Sequence, residues 1–219
     1  MARKRVAILI SGRGANMGAL IEAAKKPGYP AEIALVLSNR PEAGGLKRAG
    51  AEGVATAVVD HTDLGKDREA FERTVQEHLE THRIEIVCLA GFMRLFTSSF
   101  VSRWSGGMIN IHPSLLPLFK GLHTHERALE AGVKIHGATV HFVVPEVDSG
   151  PIIAQAAVPV LDDDTPDALA ARVLAAELRV YPLALGLVAG GKSSLTSHGT
   201  VHNAAAVAAT ALLIVPDPG

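Results

Sequence analysis

Residues 108–117 read MINIHPSLLP, a short apolar run that carries two polar side chains, Asn110 and His112, and stops at a proline. In a strand, residues two apart point to the same face, so the amide and the imidazole are presented together. Pro113 cannot donate to a strand ladder, and we expect it to end the strand directly after His112. The stretch therefore predicts a strand whose carboxyl end displays an amide beside a titratable group.

Four further apolar runs precede this strand, and turns or stretches with helical spacing separate them. The predicted strands lie at residues 6–10, 31–38, 55–60 and 84–89. Strands that alternate with helices form a parallel, doubly wound sheet with right-handed crossovers. Ligands of such sheets bind outside the carboxyl ends of the strands. We therefore expect an α/β fold with a mostly parallel sheet, helices on both faces, and a site at the carboxyl edge.

The pattern changes after Pro113. Two apolar runs, residues 135–144 and 152–160, are joined by a short loop that contains Asp148. Because no helix lies between them, this C-terminal pair is predicted to be antiparallel. A threonine–proline pair then opens a long predicted helix over residues 166–187.

No internal repeat and no linker divides the chain, so residues 1–190 are predicted to form one domain. Residues 190–203 are rich in glycine, serine, threonine and histidine, and we expect a loop or a loose tail there. Residues 204–215 are apolar but too short to span a bilayer, and their pattern favours neither a helix nor a strand. Residues 191–219 are therefore interpreted as a tail of uncertain structure.

The composition limits the class of protein. The 219 residues have a hydrophobic fraction of 48% and a formal net charge of −1, so no overall positive charge indicates a nucleic-acid partner. Cys88 is the only cysteine, which excludes an internal disulfide, and its apolar neighbours predict a buried thiol. No apolar run is long enough to cross a membrane, and we expect a cytoplasmic location.

A glycine turn follows the first predicted strand. Residues 11–16 read SGRGAN and lead into a helix. A strand, a glycine turn and a helix together aim backbone N–H groups at an anion. The turn lacks the Gly-Lys-Ser/Thr of a Walker loop, and Met17 stands where a dinucleotide fingerprint has its third glycine. Two interpretations stay open: a tight turn without a ligand, or a phosphate site without dinucleotide specificity.

Five of the ten histidines lie between residues 108 and 150. They are His112, His123, His125, His136 and His141. A metal site is disfavoured, because no cysteine is available and the spacing matches no common zinc pattern. We interpret His123, His125 and His136 as structural hydrogen-bonding residues, and His141 as a buried residue whose hydrogen bonds are satisfied.

Asn110, His112 and Asp148 form a different set. An amide, an imidazole and a carboxylate are the groups that acyl or formyl transfer to an amine requires. The sequence has no Gly-x-Ser-x-Gly elbow, and Cys88 lies inside a predicted strand, so a covalent enzyme intermediate is disfavoured. Direct attack by the amine of a substrate is expected instead.

Seven motifs, in order along the chain, resemble the phosphoribosylglycinamide formyltransferase family of the formyltransferase superfamily. They are SGRGAN at 11–16, AGFMR at 90–94, NIHPSLLP at 110–117, GLHTH at 121–125, HG at 136–137, VHF at 140–142 and DSGP at 148–151. The resemblance covers about residues 5–190 and fades beyond them. It implies transfer of a formyl group from 10-formyltetrahydrofolate to the amine of glycinamide ribonucleotide in purine biosynthesis.

The resemblance also implies roles for individual residues. The positions that match catalytic residues of the family are Asn110, His112 and Asp148. Those that match contacts of the ribonucleotide are Gly14, Ala15, Asn16 and Glu177. Those expected around the folate are Met93, Arg94, Leu95, Val143, Val144, Pro145, Glu146 and Val147. The family often has serine at the position of Ala15, so this chain lacks one hydroxyl donor there.

The same resemblance implies small-molecule substrates, no metal, and no nucleic-acid or membrane partner, in a monomer or a homodimer. Formyltetrahydrofolate hydrolase and methionyl-tRNA formyltransferase are the nearest rivals. They usually carry an N-terminal regulatory domain and a C-terminal RNA-binding domain, respectively, and neither is expected here. The missing third glycine disfavours a nicotinamide dehydrogenase. A non-catalytic folate- or nucleotide-binding protein on the same scaffold stays an alternative.

Overall fold

A computed structural model of the chain describes residues 2–60, residue 62 and residues 67–202. The strands are β1 (Lys4–Ile10), β2 (Ala31–Ser38), β3 (Thr56–Val58), β4 (Ile86–Leu89), β5 (Met108–His112), β6 (Ile135–Phe142), β7 (Ile152–Pro159), β8 (Ser193–Thr196) and β9 (Gly199–His202). The helices are α1 (Ala15–Ala24), α2 (Gly44–Ala51), α3 (Arg68–Thr81), α4 (Ser98–Arg103), α5 (Thr124–Glu130) and α6 (Pro166–Ala189).

Seven strands form one sheet in the order β3-β2-β1-β4-β5-β6-β7. The pairs among β1 to β5 are all parallel. β6 pairs antiparallel with both β5 and β7. The predicted α/β fold, with a mostly parallel sheet and an antiparallel C-terminal strand pair, is confirmed.

Helices cover both faces of the sheet because successive strand residues point in opposite directions. In β1, Val6, Ile8 and Ile10 belong to the core beneath α1, α2, α5 and α6. Ala7 and Leu9 belong to the core beneath α3 and α4. All five side chains are fully buried, as expected for a parallel strand with a helix layer on each side.

One row of paired residues crosses the sheet near the carboxyl ends of the parallel strands. Leu9 pairs with Leu89, Leu89 with Asn110, and Asn110 with His141. The hydroxyl of Tyr181, a fully buried residue of α6, donates to the carbonyl oxygen of Leu89 at 2.9 Å. The turn after β1, the loop after β4 and the end of β5 therefore emerge together at one edge.

The longest helix begins where the sequence predicts. Thr165 caps α6, since its Oγ1 accepts a hydrogen bond from the Ala168 N–H at 3.2 Å, and Pro166 is the first helical residue. The helix ends at Ala189, two residues beyond the predicted end. No helix in the described ranges is both long enough and apolar enough to cross a membrane.

Cys88 lies in β4 and is fully buried, as predicted. Burial raises the pKa of its thiol to about 12. The thiol therefore stays protonated near neutral pH and is a poor nucleophile, because the thiolate is the reactive form.

The expectation of a loop or loose tail over residues 190–203 is wrong for most of that range. β8 and β9 pair there as an antiparallel hairpin, and Leu195 packs against the main core. Two four-residue strands of mostly small polar residues carry little hydrophobic periodicity, which is why the pattern gives no strand signal. Residues 203–219, with the apolar run 204–215, lie outside the described residues. The domain boundary at residue 190 stays a prediction.

Candidate active site

The end of β5 and the loop after β6 bring the three predicted catalytic residues together. Oδ2 of Asp148 lies 3.3 Å from Nδ1 of His112, and both side chains are nearly buried. Nδ2 of Asn110 lies 3.2 Å from Nε2 of His141. Nε2 of His141 is also 3.8 Å from Oδ1 of Asp148. The amide, the imidazole and the carboxylate therefore form one connected group, with His141 as a fourth member.

Both ring nitrogens of His112 face hydrogen-bond acceptors. Nδ1 faces the carboxylate of Asp148, and Nε2 lies 3.0 Å from the carbonyl oxygen of Phe119. A neutral imidazole donates from one nitrogen only, whereas the protonated ring donates from both. Either ring nitrogen of His112 is therefore placed to donate a hydrogen bond.

His141 orients the amide of Asn110. Nδ1 of His141 lies 2.9 Å from the carbonyl oxygen of Phe142, so this nitrogen carries the proton and Nε2 accepts from Asn110. Burial lowers the pKa of His141, which keeps the ring neutral. The predicted buried, hydrogen-bonded role is confirmed. Its contact with Asn110 is a part of the site that the sequence does not reveal.

The loop that carries Asp148 has a constrained backbone. Asp148 itself has a φ of 49°, in the left-handed region, and its Oδ2 accepts a hydrogen bond from the Gly121 N–H at 2.9 Å. A Cβ atom added at Gly150 would lie 1.6 Å from the carbonyl oxygen of Phe142. Only glycine therefore fits at the end of this loop, and the tight turn fixes the carboxylate against the end of β5.

The interpretation of His125 and His136 as hydrogen-bonding residues stays a prediction, because the backbone of Pro113 interacts with His136 and Nε2 of His125 is not a buried, unpaired atom. Neither ring nitrogen of His136 makes a well-formed hydrogen bond among the described residues, and neither does Nδ1 of His125. The two rings pack edge to face, with centroids 5.4 Å apart. His123, in contrast, is exposed and lies 3.5 Å from the carboxylate of Glu126. Within the described ranges, no three His, Cys, Asp or Glu side chains are arranged to hold a metal ion.

We expect His136 to make the protein less stable in mild acid. Burial lowers the pKa of His136 from 6.5 to about 4, and the nearby carbonyl of Pro113 offsets only part of this shift. The unfolded chain therefore binds a proton below about pH 6.5, while the folded chain does so only near pH 4. Up to about 3 kcal/mol of the unfolding free energy is lost as the pH falls through this window.

Urea unfolding of the wild type and of His136→Leu between pH 7 and pH 4 measures this effect. The variant should lose less of its unfolding free energy over that range than the wild type, whatever its stability at pH 7. Parallel pH dependences for the two proteins would contradict the assignment.

The glycine turn forms the start of α1. Gly14 is the N-cap residue with a φ of 72°, no side chain caps the helix, and the first turn contains no acidic residue. The Gly45 N–H of α2 donates to the carbonyl oxygen of Gly12 at 3.1 Å, which holds the turn in place. The first N–H groups of α1 are thus not capped by a side chain, and the helix dipole makes this position suitable for an anion.

Helix α6 brings Glu177 to the same turn from far along the chain. Nδ2 of Asn16 donates to Oε2 of Glu177 at 2.6 Å. Burial raises the pKa of the Glu177 carboxyl, and the hydrogen bond from Asn16 opposes this shift. Oδ1 of Asn16 is buried without a hydrogen-bond partner among the described residues. A ligand hydroxyl or amine could donate to this oxygen, so the two residues suit a polyhydroxylated or amine-bearing ligand.

The loop after β4 emerges beside the glycine turn. Met93 and Leu95 expose 67% and 57% of their surface. The guanidinium carbon of Arg94 lies 4.6 Å from the ring centroid of Phe71, and its Nε is buried without a hydrogen-bond partner among the described residues. The exposed apolar side chains of Met93 and Leu95 suit contact with an apolar ligand surface.

Residues 143–147, also predicted to surround the folate, follow β6, whose last residue, Phe142, pairs with Ile109 near the start of β5. The N–H of Val143 donates to the carbonyl oxygen of Met108 at 2.9 Å, so it is already used within the protein. Val144 is half-buried, and the exposed residues of this segment are Pro145, Glu146 and Val147. Backbone contacts with a ligand are therefore available mainly from Val144 onwards.

A comparison with known protein families defines the class. A family model described as formyl transferase matches residues 4–185, and the chain belongs to this family. Phosphoribosylglycinamide formyltransferase of Escherichia coli is 43% identical over 190 residues, which cover 85% of this chain and 88% of that protein. Within the formyl transferases, the chain therefore belongs with the phosphoribosylglycinamide formyltransferases.

Two further relatives extend the comparison. The crystal structure of phosphoribosylglycinamide formyltransferase from Brucella melitensis is 56% identical, with a TM-score of 0.82, and the match covers 86% of this chain and 97% of that one. The bovine trifunctional purine biosynthetic protein adenosine-3 is 48% identical over 199 residues, or 91% of this chain. The chain spans only 20% of the length of that trifunctional relative.

Proposed function

We propose that the protein transfers the formyl group of 10-formyltetrahydrofolate to the amine of glycinamide ribonucleotide, a step of purine biosynthesis. One observation carries the proposal: the Asp148 carboxylate contacts His112 beside Asn110, at the sheet edge where the glycine turn also ends. A phosphate-bearing amine held at that turn would lie close to these three groups. Membership of the formyl transferase family supports the same reaction.

The proposed reaction begins when the substrate amine attacks the formyl carbon. A nitrogen–carbon bond forms and the carbonyl oxygen becomes an oxyanion. Asn110 uses one N–H on His141, and its second N–H can donate to this oxygen. A protonated His112 adds positive charge nearby. Direct donation by its Nε2 requires the oxyanion to replace the carbonyl of Phe119 as acceptor.

The intermediate then collapses, and the bond between the formyl carbon and N10 of the folate breaks. The attacking amine must lose a proton, and N10 must gain one. Oδ2 of Asp148 is engaged with His112 and Gly121, whereas Oδ1 lies 3.8 Å from Nε2 of His141. We assign the proton transfer to Oδ1, through water, while the negative charge of Asp148 stabilises the imidazolium.

The substrates occupy two neighbouring positions in this proposal. Backbone N–H groups of Gly14, Ala15 and Asn16 hold the phosphate, and Glu177 receives donors of the ribonucleotide. The folate lies against the loop of Met93, Arg94 and Leu95 and against residues 143–147. Ala15 supplies no hydroxyl, so the backbone and the helix dipole provide the attraction for the phosphate. A cytoplasmic location, a monomeric or dimeric state and the absence of nucleic-acid, membrane and metal partners stay predictions.

One assay tests the proposal. Loss of 10-formyltetrahydrofolate is followed by absorbance with and without glycinamide ribonucleotide. We expect consumption only when the ribonucleotide is present, with one formylated product for each folate consumed. Formate release without the ribonucleotide would favour the hydrolase instead. Binding of both compounds without turnover would favour a non-catalytic binding protein.

Gly14→Ala should raise the KM for the ribonucleotide by roughly tenfold or more, with a smaller effect on the KM for the folate. The added Cβ would lie 3.1 Å from Cε of Met17 and 3.2 Å from Cα of Gly45, at a φ of 72°. Strain of about 1–2 kcal/mol at this φ, together with the crowding, displaces the N–H groups that hold the phosphate.

Gly53→Ala is the matched control for steady-state kinetics. Gly53 has a φ of 74°, but a Cβ there would have no atom within 4 Å. This variant carries the same backbone strain away from the site, and its KM values should stay normal. An unchanged ribonucleotide KM in Gly14→Ala would refute the placement of the phosphate.

A further inference from the structure

A buried serine joins the two loops that the proposed function assigns to different substrates. Ser11 follows the last residue of β1 and is the first residue of the glycine turn, and only 8% of its surface is exposed. Its backbone N–H donates to the carbonyl oxygen of Gly91 at 3.2 Å. Its Oγ accepts a hydrogen bond from the Met93 N–H at 2.8 Å. Ser11 thus contacts the loop after β4 through both its backbone and its side chain.

A residue directly after β2, Asn39, fixes the direction of the Ser11 hydroxyl. Oγ of Ser11 donates to Oδ1 of Asn39, which is buried directly after β2, over a distance of 2.5 Å. A hydroxyl has one hydrogen and two lone pairs, so this bond leaves a lone pair for the Met93 N–H. The backbone ladder between β1 and β4 includes the bond from the Ala90 N–H to the carbonyl of Leu9. The serine side chain extends that ladder beyond the ends of the strands.

We propose that Ser11 is a positioning residue, which sets the folate loop (residues 93–95) relative to the phosphate turn (residues 14–16). This inference rests on the proposed function, because that function assigns the two ligands to these segments. Since the Met93 N–H is already bonded, the folate loop is ordered before its ligand arrives, and binding does not bear the entropic cost of ordering it. Ser11 contacts neither ligand and acts through Met93.

Ser11→Ala tests this role, because it removes the hydroxyl and leaves the Met93 N–H without its acceptor. The dissociation constant for tetrahydrofolate, measured by anaerobic calorimetry on the full chain, should rise about tenfold. Turnover at saturating concentrations of both substrates should change less than about threefold, since the serine does not touch the reacting atoms. Hydrogen exchange of the Met93 amide, measured without any ligand, should become at least about fivefold faster.

Ser38→Ala is the matched control. Ser38 is fully buried at the end of β2, and within the described ranges its hydroxyl bonds locally, to the carbonyl oxygen and the N–H of Arg40 at 2.9 Å and 3.0 Å. This variant should leave the tetrahydrofolate affinity and the Met93 exchange rate unchanged. A similar loss of affinity in both variants would show that Ser11 contributes only to general stability, and would overturn the inference.

Two other results would also overturn it. An unchanged Met93 exchange rate in Ser11→Ala would show that the serine does not hold the loop. Faster exchange with unchanged tetrahydrofolate affinity would show that the hydrogen bond between Met93 and Ser11 has no part in folate binding. The proposed function fails on a different observation, a wild-type protein that binds no tetrahydrofolate or does not formylate glycinamide ribonucleotide.

Discussion

Asn110→Ala should lower turnover by at least roughly 10²–10³-fold, the typical effect of removing one donor to an oxyanion. In the structure, one N–H of the Asn110 amide is held by Nε2 of His141, which fixes the direction of the second N–H. A donor that is already oriented stabilises the oxyanion without reorganisation. The loss should appear in kcat more than in either KM, because the interaction exists mainly in the transition state.

Gln76→Ala is a suitable control for this variant. It removes a side-chain amide of α3 that is hydrogen-bonded to Trp104 and Glu80. Helix α3 packs on the face of the sheet opposite to α6. Circular dichroism and thermal unfolding should show that both variants are folded, while only Asn110→Ala loses turnover. Near-normal kcat in a folded Asn110→Ala protein would eliminate Asn110 as an oxyanion donor.

Asp148→Asn is expected to reduce turnover by a factor at least as large. Asparagine tolerates the left-handed backbone that this position requires, so the loop should keep its course. The amide oxygen can still accept the hydrogen bond from Gly121, and the amide nitrogen can face Nε2 of His141. The variant therefore removes the negative charge and the proton acceptor while it preserves the shape of the site.

Asp164→Asn is the control that shows whether the loss of any buried carboxylate lowers turnover. Asp164 forms an ion pair with Arg172 at 2.6 Å, and its side chain is only 3% exposed, but it lies in the turn before α6. Its substitution should lower the melting temperature and leave kcat unchanged. Asp148→Asn should instead lower kcat and leave the melting temperature unchanged. If Asp148→Asn retained more than about a tenth of the wild-type kcat, the proton-transfer role would have to be abandoned.

The fold was largely predictable because its signals are local. The run from Val6 to Ile10 is continuously apolar, and this pattern corresponds directly to a strand buried on both faces. The turn at residues 11–16 and the Thr165 cap are equally local signals. The hairpin at residues 193–202 was missed because its two short strands carry little hydrophobic periodicity.

The site was predictable in part. Asn110 and His112 follow from the two-residue period of a strand and the stop at Pro113. Asp148 was grouped with Asn110 and His112 from the residue types, but its 3.3 Å contact with His112 depends on where the loop folds. The hydrogen-bond partners of His125 and His136 could not be predicted, because a histidine and a partner can both be present in a sequence without meeting in space.

The sequence by itself determined the seven strands of the main sheet, the glycine turn, and the place of Asn110 and His112 towards the end of β5. Periodicity, turn residues and motif order are properties of neighbouring positions, so they can be read along the chain. Only the tertiary structure decided that His141 orients Asn110, that Glu177 reaches Asn16, and that Ser11 holds Met93. These contacts join residues that are 31, 161 and 82 positions apart, and packing alone sets their geometry.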